Sequence, residues 1–380
     1  MAVERDRAAD GDSSAVVDGM NAFAFDLLRE LRADGSDNVV VSPYSIVTAL
    51  GMVYGGARGT TATEMAEVLG YPDPGPATHA GLNALALALE ARAREGITLA
   101  TANQVWVRPG LGVREKFGEL LNASYGAPVA SLDFSSGAEE LINGWVSDQT
   151  NDRIEELFAP GSFDASTAMV LANAVYLDAT WQRPFEEEST SDGTFTRPDG
   201  SEVTVPMMQN NRELPSGFGS GWAAVELPYA GDELSMVVVV PQNITAFEER
   251  LSPELLEEIT GSIRDGGIHF SMPKVSLSYQ ASLPKALGSL GMTQAFGTGA
   301  DFSGMAEGGG LRLDQVEHEV FLAIDEEGTE AAAATGAVMA DSHGPTVMVN
   351  QPYVVVIRDK PTGAVLFVGT ITDPSVKPKS

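Results

Sequence analysis

Residues 326–342 read Glu-Glu-Gly-Thr-Glu-Ala-Ala-Ala-Ala-Thr-Gly-Ala-Val-Met-Ala-Asp-Ser, and no other stretch restricts the fold as much. They follow an alternating run, Val316–Asp325, and precede a β-rich run, Val347–Ile357, with no proline before Pro345. Two strands joined by so long a stretch of small residues do not form a tight hairpin. Connections of this length in compact domains are usually functional or disordered. From Thr329 every second residue (Thr329, Ala331, Ala333, Thr335, Ala337, Met339) is uncharged, and the one charge between Thr329 and Ala340, Glu330, falls in the other register. In extended geometry one face is then small and neutral, and the other carries Glu330. Such a segment can enter a sheet without burying a charge. An alanine-rich helix or a flexible connector is the competing local reading, because Ala favours helix.

The rest of the chain mixes helical and extended patterns. Val17–Arg32 has helical spacing, with Met20, Phe23, Leu27, Leu28 and Leu31 on one stripe. Asn38–Val41 is a short apolar strand. Ser42 and Pro43 then open a helix through Tyr54, as N-cap and first helical residue, and Gly55-Gly56 ends it. Further helices are expected at 60–69, 82–95, 115–125, 139–150, 246–250, 253–260 and 283–290. Strands are expected at 98–107, 168–177, 223–227, 234–240 and 268–273, and a hairpin is expected about the turn at residues 197–200. Helices dominate the first part and strands the second, which indicates an α+β fold. Residues 1–15 read as a disordered tail and 16–375 as one domain, since no repeat, linker or shift in composition divides them.

Composition excludes several functions. The chain has 380 residues with 53 acidic and 23 basic side chains, a formal net charge of −30. That excess opposes nucleic acid, heparin-like polyanions and anionic membranes. It suits a strongly hydrated surface of the kind selected by high salt. With no cysteine there are no disulfides, thiolate metal sites or Cys nucleophiles. No apolar run reaches the length of a membrane span. Met1–Ala15 lacks the apolar core of a secretory signal, so either the protein remains in the cell or its signal lies outside this sequence. Asn122-Ala-Ser and Asn243-Ile-Thr match a glycosylation sequon, a pattern that also arises by chance.

No catalytic constellation is visible. The histidines, His79, His269, His318 and His343, are scattered without metal-ligand spacing. There is no Gly-x-Ser-x-Gly elbow, phosphate-binding loop or dinucleotide fingerprint. Acidic pairs such as Glu186 and Glu188 read as solvated surface among so many acids. His318, on the face Val316, His318, Val320, Leu322 and Ile324, reads as a buried hydrogen-bonding residue. No cofactor and no metal are implied.

Several motifs follow one another along the chain: Asn38-Val-Val-Val-Ser-Pro-Tyr-Ser45, Asn173 through Phe185, Val205-Pro-Met-Met208, Met272-Pro-Lys274, Asp301-Phe-Ser-Gly304, His318 through Glu330, and Val365-Leu-Phe-Val-Gly369. Taken together, they resemble the serpins, a family of serine protease inhibitors. The resemblance implies a fold of three β-sheets, about nine helices and an exposed reactive loop. It implies a monomer that traps a serine protease covalently, by inserting the cleaved loop into its central sheet. Glu326, Gly328 and Thr329 match the family's hinge, where Gly328 is expected to permit the bend, and Ala331, Ala332, Ala333 and Ala334 match its small-residue stretch. Ser42, Ser45, Asn173 and His318 match the region beneath the sheet that must open, and Trp181 matches the point of first entry.

The resemblance leaves the reactive bond at Asp341–Ser342 or Ser342–His343, according to whether one counts from the hinge or back from Pro352. No Arg or Lys lies between Glu326 and Ile357, so a trypsin-like pocket has nothing to bind, and an elastase- or subtilisin-like target fits Ser342. The family often pairs the acid at Glu326 with a lysine. The matching position here is Gln294, so Glu326 is expected to lack that partner. A carrier or chaperone without inhibitory activity is the rival within the fold, and a hydrolase the rival outside it.

Overall fold

The computed structural model describes residues 5–7, 11–33, 38–72, 75–210, 213–307, 310–313, 315–329 and 345–377. Helix α1 (Ser14–Ala33) buries the expected stripe of Met20, Phe23, Leu27 and Leu28. Strand β1 (Val39–Val41) leads into α2 (Pro43–Tyr54), where Ser42 Oγ accepts the Ser45 N–H at 3.2 Å. Helix α3 (Gly59–Leu69) closes on left-handed Gly70, φ 68°. Here α1 crosses so closely that a Cβ on Gly19 would meet the Gly70 oxygen at 1.8 Å. Helix α4 (Pro76–Glu90) lies N-terminal to the expected 82–95, because Pro76 supplies the first turn. Of the expected tail, Arg5 Nε–H donates to Asn83 Oδ1 at 3.0 Å on α4, and α1 begins at Ser14.

Strand β2 (Ile97–Val107), α5 (Glu115–Tyr125), β3 (Val129–Ser131), α6 (Ala138–Gln149) and β4 (Met169–Thr180) follow. Next come β5 (Ser191–Thr196), β6 (Glu202–Asn210), β7 (Ser216–Gly219), β8 (Trp222–Pro228) and β9 (Leu234–Pro241). The last part holds α7 (Ile244–Glu248), α8 (Pro253–Ser262), β10 (His269–Pro273), β11 (Val275–Ser282) and α9 (Pro284–Ser289). It ends with β12 (Glu317–Ile324), β13 (Gly328–Thr329), β14 (Thr346–Met348), β15 (Tyr353–Asp359) and β16 (Val365–Ile371). The β-rich run at 347–357 is thus two strands in two different sheets, divided before Pro352. Strand β11 is an addition to the strands read from the sequence.

The architecture is α+β. One sheet has the order β1-β16-β15-β9-β8-β7, and its central strands are buried along nearly their whole length. Strands covered on both faces read as continuous apolar runs, as Val365–Ile371 does. A second sheet has the order β14-β10-β6-β5. The third, central sheet is in two pieces, β13-β4-β2-β3 and β11-β12. Strand β4 is covered on both sides. Leu177 and Ala179 belong to the main core, with Leu171 and Val175 packed against it. Val170 and Ala172 belong to a separate cluster under α6, with Phe134, Ile142 and Val146.

Candidate functional site

The two pieces of the central sheet face each other across a cleft between β4 and β12. Strand β4 pairs with β2 on one edge and, among the described residues, on the other only with β13, Gly328 opposite Thr180 and Thr329 opposite Ala179, antiparallel. Strand β12 pairs with β11 alone among the described residues. The chain therefore leaves β12, reverses over residues 325–328 and starts down the edge of β4. The reversal is held locally. The Asp325 N–H donates to Gly328 O at 3.0 Å, and the Asp325 carboxylate accepts from the N–H groups of Glu327 at 3.0 Å and Gly328 at 3.2 Å. Burial pushes the Asp325 carboxyl up, against the lowering by those two N–H groups.

The β4–β5 connection takes the carbonyls of this turn. The Trp181 N–H donates to Glu327 O and the Phe185 N–H to Glu326 O, each at 2.7 Å, while Trp181 Nε1–H donates to Asp325 O at 3.0 Å. The Trp181 ring stacks on Tyr229, centroids 4.5 Å apart. The Tyr229 hydroxyl lies 2.7 Å from Thr329 Oγ1, and Thr329 is buried. Gly328 is required here for space: a Cβ would meet Ala179 O at 2.1 Å. Gly328, expected to permit the bend, is not among the glycines with positive φ.

Glu326 does not lack a cation, contrary to the expectation. Lys274 Nζ lies 2.5 Å from Glu326 Oε2, and the Thr190 hydroxyl donates to Oε1 at 2.6 Å. Burial would raise this carboxyl, but the lysine and the hydroxyl outweigh it and hold it below its ordinary value. Gln294 is instead beside Glu64, to which its N–H donates at 2.7 Å. The partner comes from the turn after β10, which alignment to a single family position does not reveal. Lys274 does stand in the Met272-Pro-Lys274 motif.

Below the reversal at residues 325–328 the other expected residues come together. The Ser42 N–H donates to His318 Nε2 at 3.0 Å, so the neutral ring carries its proton on Nδ1. Burial pushes His318 down to about 3. The Ser45 hydroxyl bonds Asn173 Oδ1, and Asn173 Nδ2–H donates to Asn103 Oδ1 at 2.6 Å. This chain runs from β12 through the start of α2 to β4 and β2, beneath the cleft. Asn103 and Tyr229 were not singled out from the sequence, where each is an ordinary strand or loop residue. A cavity of about 580 Å³ opens at the same place, lined by Ser45, Leu50, Asn173, Met305, Leu313 and His318 among others. Ala331, Ala332, Ala333, Ala334, Asp341, Ser342 and His343 lie outside the described residues. No group of acids and histidines among the described residues is placed to hold a metal ion. No helix of the described residues is long and apolar enough to cross a membrane.

Residues 18–374 match the family model described as Serpin (serine protease inhibitor). An uncharacterized serpin-like protein of Thermococcus kodakarensis is 35% identical over 96% of this chain and 87% of its own length. The leukocyte elastase inhibitor of Xenopus tropicalis is 34% identical over 93% of this chain and 97% of its own. Among solved structures, human thyroxine-binding globulin superposes with a TM-score of 0.87 at 28% identity, covering 95% of this chain and 99% of that one.

Proposed function

The chain belongs to the serpin family, and from that premise we propose that it is a suicide inhibitor of serine proteases. The observation that carries this reading is the seating of Gly328 and Thr329 on an edge of β4 that is otherwise unladdered among the described residues, facing β12 across the cleft. A strand continuing that register would set Ala331 opposite Leu177, Ala333 opposite Val175, Thr335 opposite Asn173 and Ala337 opposite Leu171. Directly opposed residues share a face, and the odd-numbered residues of β4 face the core. The uncharged register of residues 329–339 would therefore turn inward, and Glu330 outward with Asp178.

The chemistry is that of the attacking protease. Its serine oxygen adds to the carbonyl carbon of the reactive bond. The amine on the far side leaves with a proton, and an ester joins the protease to the loop. The freed strand then fills the cleft. At about 0.5–1.5 kcal/mol net per hydrogen bond, ten new ladder bonds would supply on the order of 10 kcal/mol to carry the protease away and hold it.

The elastase-inhibitor relative and the cation-free loop favour an elastase- or subtilisin-like target cutting beside Ser342. A carrier role is the second reading, and the likeness to thyroxine-binding globulin supports it. The small, neutral hinge face favours the inhibitor. Incubation with a panel of serine proteases, denaturing electrophoresis and mass spectrometry test the proposal. A covalent complex with a new N-terminus at Ser342 or His343 is expected. Cleavage without any complex, and without a rise in melting temperature, would reject it.

A further inference from the structure

The cavity beneath the cleft has a chemistry of its own. At about 580 Å³ it is far larger than the voids of a close-packed interior. It falls within the range of sites that hold drug-sized molecules, about 300–1,000 Å³. Helix α2 forms one wall through Ser45, Ala49, Leu50 and Val53, a spacing that keeps them on one helical face. Ala49 leaves room there, where Leu50 and Val53 carry longer side chains. Residues 169–173 of β4 line another wall without interruption, so the edge of the strand is in view and not one face alone. Buried Phe302 and Met305 add to the apolar lining.

His318 lines the same cavity and is only 6% exposed. Its Nε2 is taken by the Ser42 N–H at 3.0 Å, so the ring hydrogen is on Nδ1. That Nδ1–H has no hydrogen-bond partner among the described residues. A buried donor without an acceptor is costly, and a molecule that accepts from it relieves the cost. The nearby Ser45 hydroxyl does not serve, because it donates to Asn173 Oδ1. The charged lining residues are exposed or half-buried: Asp164 and Arg312 are exposed, one of each sign, and Glu317 is half-buried. An ion drawn inside would leave water without a buried counter-charge among the described lining residues, which disfavours it. A hydroxyl on the guest would bring a hydrogen of its own to satisfy, and a carbonyl oxygen would not.

We propose that this cavity binds a small, uncharged, mainly apolar molecule with a carbonyl oxygen, which accepts the His318 Nδ1–H while α2 and β4 enclose its apolar body. The site belongs to the intact form, and its assignment stands whether or not the chain traps a protease.

The test measures binding to the intact chain by calorimetry, with methyl naphthyl ketone and with isopropenylnaphthalene, in which a methylene group replaces the oxygen. The ketone should bind about three- to ten-fold more tightly than the hydrocarbon, the scale of one net hydrogen bond. Ala49→Leu, which fills the wall of α2, should abolish binding of both. With the histidine nitrogens labelled, the His318 Nδ1–H resonance, identified by its loss in His318→Gln, should move further downfield with the ketone than with the hydrocarbon. No binding of the ketone, or equal affinity for the two compounds, would overturn the proposal. So would parent-like binding by Ala49→Leu, which would place the molecule elsewhere. Should that variant not fold, the His318 resonance of the parent decides, and a resonance that responds alike to both compounds would overturn the assignment.

Discussion

Acidification should loosen this protein through His318, by an amount that follows from its burial. The ring is buried and its Nε2 accepts the Ser42 N–H, so the folded state holds it neutral down to about pH 3, against 6.5 for an exposed histidine. Below pH 6.5 the unfolded chain therefore binds a proton that the folded chain refuses. Stability from this group is complete above pH 6.5 and is lost progressively as pH falls toward 3. At about 1.4 kcal/mol per pH unit, the loss between pH 8 and pH 5 is about 2 kcal/mol, or about thirty-fold in the unfolded fraction. His79, pushed by burial to about 4, adds a loss of the same sign. Asp178 and Asp325, whose carboxyls burial raises, oppose it. His318→Gln isolates the one group, because the amide oxygen can still accept from Ser42 and does not titrate. Urea unfolding of the intact parent and variant at both pH values, at one ionic strength, reads the difference. The parent should lose about 2 kcal/mol more than the variant over that interval. Equal pH dependence of the two would refute the argument, since a ring that protonates in place has no depressed value.

Three other outcomes follow from the hinge and the surface. On the proposed inhibitory function, Thr329→Arg should turn an inhibitor into a substrate, because a cation in the buried site beside Tyr229 costs several kcal/mol and delays insertion past hydrolysis of the ester; trapping equal to the parent's on electrophoresis would contradict the proposed mechanism. Lys274→Met should lower the stability of the intact form by about 1–2 kcal/mol, less than for a fully buried pair because the lysine side chain is 40% exposed; an unchanged melting curve would show that Thr190 alone satisfies Glu326. Added KCl should raise the melting temperature, since repulsion at a net charge of −30 is screened beyond about 10 Å at 0.1 M. A melting temperature that falls with salt would remove the case for a salt-adapted surface.

The sequence by itself determined the local elements and the family. Helix α2 was legible because capping is a short-range event: Ser42 and Pro43 satisfy or avoid donors within their own first turn. Strand β12 was legible because its buried face recurs every second residue, and the neutral register after Thr329 was legible for the same reason. The tertiary structure decided what depends on contacts between distant segments. It placed Lys274 beside Glu326, where the match to Gln294 had left no cation, and Asn103 at the end of the hydrogen-bond chain from His318. It gave Gly328 a role in close approach to Ala179, where the sequence suggested a bend. It divided the run at 347–357 between two sheets, since pairing partners are chosen by register and not by propensity. The opening between β4 and β12 is the extreme case. Each strand reads from its own sequence as an ordinary sheet strand, and only their arrangement in space leaves the facing edges apart, bridged among the described residues by Gly328 and Thr329 at one end of β4.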